Sequence, residues 1–153
     1  MTADSSNLPL LFRALQFAAD HHRDDRRRDI DVSPYINHPI GVAAELVAAN
    51  VEDPEILAAA LLHDTIEDTL ATPEDLEGEF WARVCRLVLA VTDDKSLDRD
   101  ERRRLQVERA PALEPDAKLI KIADKIYNAR DVAHSPPTGW SLADRMQVLR
   151  LIA

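Results

Sequence analysis

Glycine, cysteine and long apolar runs are all scarce in this chain, and each scarcity excludes something. Only 3 glycines occur in 153 residues, and β-branched runs are short and scattered, which argues against a sheet. Alanine, leucine, arginine and glutamate dominate instead and favour helix. The single cysteine, Cys85, has no partner for an internal disulfide and agrees with a reducing compartment. No apolar run approaches the roughly 18 residues of a membrane span. The polar, acidic start from Met1 to Asn7 has no basic n-region, so a cytoplasmic location is expected. Positive charge is also short: the net charge of −9 makes the chain a poor general nucleic-acid binder, since phosphate neutralisation drives that binding. A small anion remains possible where a metal ion or a local basic cluster supplies the charge.

What is present suits one compact, all-helical domain spanning 1–153, with 46% hydrophobic and 31% charged residues and no internal repeat, low-complexity segment or linker. The spacing of Leu8, Leu11, Phe12, Leu15, Ala19 and His22 predicts a first helix that buries this stripe, capped by Asn7, with Pro9 in its first turn. The charge-dense stretch from Asp24 to Ser33 reads as an exposed loop. A second helix is expected from Pro39 to about Asn50, with Val42, Leu46 and Val47 inward. Asp53-Pro54 opens a third helix, apolar nearly all round from Ile56 to Leu62 and therefore central. Thr72-Pro73-Glu74-Asp75 has the form of a helix start, and Trp81, Val84, Leu87, Val88 and Val91 form another apolar stripe. Further helices are expected over 99–109, from Pro115 to about Asp131, and from near Ser141 after Gly139. Trp81, Trp140 and Cys85 read as packing residues. The sequence stops at Ala153 in what reads as mid-helix, so a short or missing C-terminal piece is expected.

The third helix delivers four ionisable residues in Leu61-Leu62-His63-Asp64-Thr65-Ile66-Glu67-Asp68-Thr69. His63 and Glu67 are four apart, as are Asp64 and Asp68, so they are expected to form two adjacent columns on one side of the helix. Three carboxylates clustered at a helix C-terminus repel one another and face the negative end of the dipole, a cost that a divalent cation offsets. The alternative is a core histidine beside a solvated helix end. His38 sits just before a helix start in Tyr35-Ile36-Asn37-His38-Pro39, and Asp124 interrupts the apolar helix Lys118 to Asn128. Either residue alone suits a structural role, His38 as a cap or buried donor and Asp124 paired with Lys121 or Lys125. Taken together, His38, His63, Asp64 and Asp124 offer two nitrogen and two oxygen ligands from three helices. That set suits manganese, iron or zinc and leaves positions open for substrate and water.

The order His … His-Asp … Asp resembles the ligand pattern of the HD phosphohydrolases. The sequence is similar, more narrowly, to the hydrolase domain of RelA/SpoT proteins and to the stand-alone small alarmone hydrolases, including the metazoan SpoT homologues. The similarity rests on the stretches 35–43, 59–69, 91–95, 104–106, 117–131 and 139–141. It implies a manganese-dependent enzyme removing the 3′-pyrophosphate from guanosine tetra- or pentaphosphate, with His38, His63, Asp64 and Asp124 as ligands. Glu67 and Asp68 match the family's catalytic acidic pair, which orients or deprotonates the attacking water. Asn128 matches a substrate-contacting asparagine. Lys95, Arg145 and His21 are further candidates for substrate contact, although a cation outside the motifs is usually a solvated surface charge. Two departures concern the substrate. Asp20-His21 stands where the family has a basic Arg-Lys pair, and Val148 and Leu149 stand where it has an aromatic residue in the last helix. An alternative reading is therefore an HD phosphohydrolase of another phosphorylated nucleotide, such as NADPH. A further one is a nucleotide-binding protein without catalysis, which the intact Glu67-Asp68 pair argues against. No synthetase domain fits in this length, so any alarmone chemistry is expected to be degradation.

Overall fold

The computed structural model describes residues 7–152, and the expectations for the segment 1–6 lie outside the described residues. The elements in order are α1 (Leu8–His21), α2 (Asn37–Ala48), α3 (Pro54–Leu62), α4 (Thr65–Asp68), α5 (Pro73–Glu79), α6 (Ala82–Val91) and α7 (Arg99–Arg109). A 3₁₀ turn (Ala110–Ala112), α8 (Pro115–His134) and α9 (Leu142–Ile152) complete the chain. No strand occurs among the described residues, as the composition implies; a single antiparallel bridge pairs Arg26 with Pro34.

α3 is the axis of the bundle. Asp53 caps it, its side chain accepting from the N–H groups of Glu55 at 2.9 Å and Ile56 at 3.4 Å, while Pro54 occupies the first turn. Every residue from Ile56 to Leu62 is buried, and α1, α2, α6 and α8 pack around them. The three consecutive alanines, Ala58 to Ala60, let those neighbours approach closely. Arg83 on α6 ties the arrangement together at one end. Its guanidinium donates to Asp53 at 2.9 Å, Glu55 at 3.3 Å and Asp116 at 2.8 Å, fixing the N-termini of α3 and α8 relative to each other.

α3 does not run on through the ionisable cluster as a continuous helix. It ends at Leu62, and α4 is a separate single turn. The reason is local competition for carbonyls: His63 Nδ1 lies 2.8 Å from the Ala60 oxygen, and the Thr65 hydroxyl donates to the Leu62 oxygen at 2.7 Å. Side chains thus satisfy the last turn of α3 in place of backbone N–H groups. Asp64 and Asp68 still share a side, because both accept from Tyr35.

Other expectations are corrected in phase rather than in kind. α1 buries Leu10, Ala14 and Ala18, with His22 continuing the stripe, whereas Leu8 and Phe12 are exposed. Asn7 contributes its carbonyl, which accepts from the Leu11 N–H at 3.3 Å, and no side-chain cap bond. α2 begins two residues before Pro39, and Val47 faces outward. Trp81 is 55% exposed as the residue preceding α6, while Val84, Cys85, Leu87, Val88 and Val91 are buried as expected. Thr72 and Asp75 form a reciprocal capping box on α5. The 24–33 segment is a braced loop: Tyr35 N–H donates to the Asp25 oxygen at 3.0 Å and Arg27 N–H to the Ser33 oxygen at 2.8 Å. Val32 sits there at φ 51°, a costly conformation for a β-branched residue.

α2 and α8 meet through Gly41, where a Cβ would lie 1.9 Å from the Tyr127 ring. Gly41→Ala must therefore displace Tyr127, which packs at 5.2 Å against the His38 ring. A destabilisation of about 1–3 kcal/mol is expected, read as a lowered melting temperature. An unchanged melting temperature would show that the two helices tolerate separation.

Candidate metal centre

α2, α3 and α8 each direct ionisable side chains to one point. His38 stands in the first turn of α2 and is 2% exposed; His63 closes α3 and is 6% exposed. Asp124 lies midway along α8, one residue after the buried Ala123. His38 Nε2 is 3.2 Å from Asp124 Oδ1 and 3.4 Å from Asp64 Oδ2. His63 Nε2 is 3.1 Å from Asp64 Oδ2 and 3.8 Å from Asp124 Oδ1. Ligand atoms of His38, His63 and Asp124 fall within 4.8 Å of one another, and Asp64 Oδ2 faces both imidazoles.

The electrostatics follow from crowding charge into a space with little water. Burial disfavours a charged His63, but the carboxylates of Asp64 and Asp124 outweigh it and push its pKa up to about 9. Burial likewise opposes ionisation of Asp64 and Asp124. The two histidines overcome it and hold both carboxyls below the ordinary range. Despite its nearness to Asp64, His63 Nε2 makes no hydrogen bond and is buried, as is His38 Nδ1. Ala60 holds the Nδ1 side of His63, so Nε2 is the nitrogen left to ligate once the ring gives up its proton. A buried, unpartnered nitrogen aimed at two carboxylates is a donor set that fits a divalent cation. All four residues expected as ligands meet there.

A second layer orients this set. Tyr35 donates to Asp64 Oδ2 at 2.6 Å and reaches Asp68 Oδ2 at 3.2 Å. Burial and the Asp64 charge raise the Tyr35 pKa, keeping the hydroxyl a donor. The Arg27 guanidinium lies 5.8 Å from the Tyr35 ring centroid and pairs with Asp131. Asn128, one turn along α8, donates to Asp124 Oδ1 at 2.7 Å and so holds an expected ligand.

Glu67 and Asp68 stand at the end of α4. Glu67 Oε2 accepts from the Asp93 N–H at 3.0 Å, and burial raises its pKa. Asp68 forms an ion pair with Lys95. The structure therefore places Lys95 on the acidic pair itself. The other substrate candidates lie apart from these contacts. His21 stacks on Phe17, with ring centroids 4.3 Å apart, and Asp20 pairs with Arg23 at 3.7 Å. Arg145 lies on α9, half-buried, with its Nε buried and unpartnered. Tyr35, Arg27 and Asp93 have no role assigned from the sequence. The available signals are that Tyr35 lies three residues before His38, and that Tyr35 and Asp93 fall within the stretches 35–43 and 91–95 that carry the family similarity.

This is the arrangement of a known class. The profile of the HD domain matches residues 14–149, and the chain belongs to the HD-domain family. Within it, the chain is 52% identical over 143 residues to guanosine-3′,5′-bis(diphosphate) 3′-pyrophosphohydrolase MESH1 of Danio rerio, covering 93% of this chain and 79% of the relative. Against the Homo sapiens protein of that name, identity is 55% over 132 residues, covering 86% and 74%. A solved structure described as a metazoan ortholog of SpoT that hydrolyzes ppGpp superposes with a TM-score of 0.90 at 46% identity, covering 99% of this chain and 84% of the other. No helix among the described residues is long and apolar enough to cross a membrane.

Asp124→Ala removes one oxygen donor and frees Asn128. After loading with a divalent metal, it is expected to lower the bound ion from about one per chain to a small fraction, measured by elemental analysis after desalting, because lost carboxylate ligands cost affinity steeply. Full occupancy in this variant would place the ion elsewhere.

Proposed function

We propose that the chain is a manganese-dependent hydrolase that removes the 3′-pyrophosphate of guanosine tetra- or pentaphosphate, acting in the cytoplasm on a free nucleotide. The observation that carries this reading is the acidic pair Glu67-Asp68, anchored one turn beyond His63 and Asp64. The printed activity of the MESH1 relatives supports the substrate.

His38, His63, Asp64 and Asp124 would hold the ion, which when bound supplies Lewis-acid polarisation of a phosphoryl oxygen and acidifies water. The rest belongs to the chain. Tyr35 and Asn128 keep Asp64 and Asp124 turned toward the centre. Glu67 receives a proton from the attacking water. Its raised pKa makes it a stronger base than an ordinary carboxylate, while Oε1 is left for that proton because Oε2 is engaged by Asp93. The water oxygen bonds to the phosphorus nearest the ribose, the bond to the 3′ oxygen breaks, and that oxygen takes the electron pair and a proton. Asp68, held between Tyr35 and Lys95, brings the lysine ammonium beside the developing phosphate charge.

One observation favours a different substrate for the same site. Asp20 and His21 stand where the resemblance leads one to expect a basic pair; Asp20 pairs with Arg23 just beyond α1, and His21 packs on Phe17. Phosphate release should be followed on guanosine tetraphosphate and on NADPH in parallel. Manganese-dependent pyrophosphate from the first, with kcat lowered about 10²- to 10⁴-fold in Glu67→Gln, is expected. Turnover of NADPH alone would keep the mechanism and change the substrate.

A further inference from the structure

Asp93 lies between α6 and α7, outside the ligand set and the acidic pair, yet three elements converge on it. Its backbone N–H donates to Glu67 Oε2 on α4 at 3.0 Å. Its side-chain Oδ2 accepts from the Gln106 amide on α7 and lies 3.3 Å from Lys121 Nζ on α8. α7 buries no residue of its own, so its seat beside the site depends on polar contacts of this kind. We propose that Asp93 is a positioning residue for the hydrolysis: clamped by Gln106 and Lys121, its main-chain N–H fixes which oxygen of Glu67 faces the reacting water. The inference rests on the hydrolytic role assigned to Glu67.

A carboxylate has two equivalent oxygens and a rotatable terminal torsion, so a single backbone donor selects one orientation only if that donor is itself immobile. A loop N–H acquires that immobility from its side chain, here through two donors on two different helices. The same clamp sets the charge facing Glu67. The Asp93 and Asp64 carboxylates favour its protonated form, and Lys121 and the Asp93 N–H favour the ionised form, against a background of burial. The two functions separate by substitution. Gln106→Leu loosens the clamp and leaves the Asp93 charge in place. Asp93→Asn removes the charge and keeps an oxygen for Gln106 and Lys121.

The test compares both variants with the unaltered metal-loaded protein. Gln106→Leu is expected to lower kcat about 10-fold with KM within about twofold, and to move the acid limb of the kcat–pH profile upward. Asp93→Asn, which keeps an acceptor for the clamp but weakens its pairing with Lys121, is expected to lower kcat less than Gln106→Leu does and to move that limb downward. Carboxyl ¹³C NMR titration of Glu67, assigned by Glu67→Gln and recorded on metal-free protein, should show the same opposite displacements. Equal losses of kcat and KM that track a lowered melting temperature, with the Glu67 titration unmoved, would overturn the proposal. If the unaltered protein hydrolyses neither guanosine tetraphosphate nor bis(p-nitrophenyl) phosphate, the hydrolase reading fails. The NMR displacements then decide the clamp alone, opposite shifts supporting it and coincident titrations refuting it.

Discussion

Two imidazoles and two carboxylates brought out of water against an alanine-rich helix set the terms for everything around them. Each ion removed from solvent costs several kcal/mol after relaxation, and mutual attraction offsets that cost only with good geometry and satisfied remaining atoms. The pairings of His38 and His63 with Asp64 and Asp124 supply the attraction, while Tyr35, Asn128 and the Ala60 carbonyl satisfy most of the remaining atoms. His63 Nε2, like His38 Nδ1, stays buried without a hydrogen bond. A protein keeps such an atom at a point shared by two carboxylates when a cation completes the set. In the metal-free cluster the carboxylates of Asp64 and Asp124 push the His63 pKa up to about 9, so the ring holds a proton and proton and metal compete for one nitrogen.

The fold serves this cluster by rigidity at one end and a break at the other. Arg83 and the Asp53 cap lock α3, α6 and α8 together at the N-terminal end of α3. At the C-terminal end, His63 and Thr65 take over the carbonyls of the last turn, and the chain turns into α4. Had the helix continued, Asp64 and Asp68 would have remained on its surface in register. The break lets Asp64 turn toward the imidazoles while Asp68 reaches Lys95 and Glu67 reaches Asp93. Two side chains that each bond the carbonyl three positions back, His63 and Thr65, account for the change.

Helix starts were legible because their chemistry is local. Asp53-Pro54, Thr72-Pro73 and the run from Arg99 each open a helix where the sequence places one, and the all-apolar Ile56 to Leu62 is central as its composition demands. Phase was less legible. α1 carries apolar residues on more than one face, so the buried stripe through Leu10, Ala14 and Ala18 is chosen by small side chains that admit α3, and the larger Leu8 and Phe12 stay outside. Trp81 was misjudged by its size, since it precedes α6 and has no neighbour to cover it. The convergence of His38, His63, Asp64 and Asp124 followed from their types and order. The supporting contacts did not, because Tyr35, Arg27, Asp93 and Gln106 act across the fold, over separations that carry no spacing signal. Lys95, a candidate for substrate contact from the sequence, pairs with Asp68, a contact that no spacing announces.

One divalent ion among these four side chains would explain the whole arrangement. Crystals grown with manganese and measured at its absorption edge locate such an ion. A single anomalous peak is expected within coordinating distance of His38 Nε2, His63 Nε2, Asp64 and Asp124. Ordered density for all four side chains without such a peak, or a peak bound by other residues, would show that the cluster holds no ion.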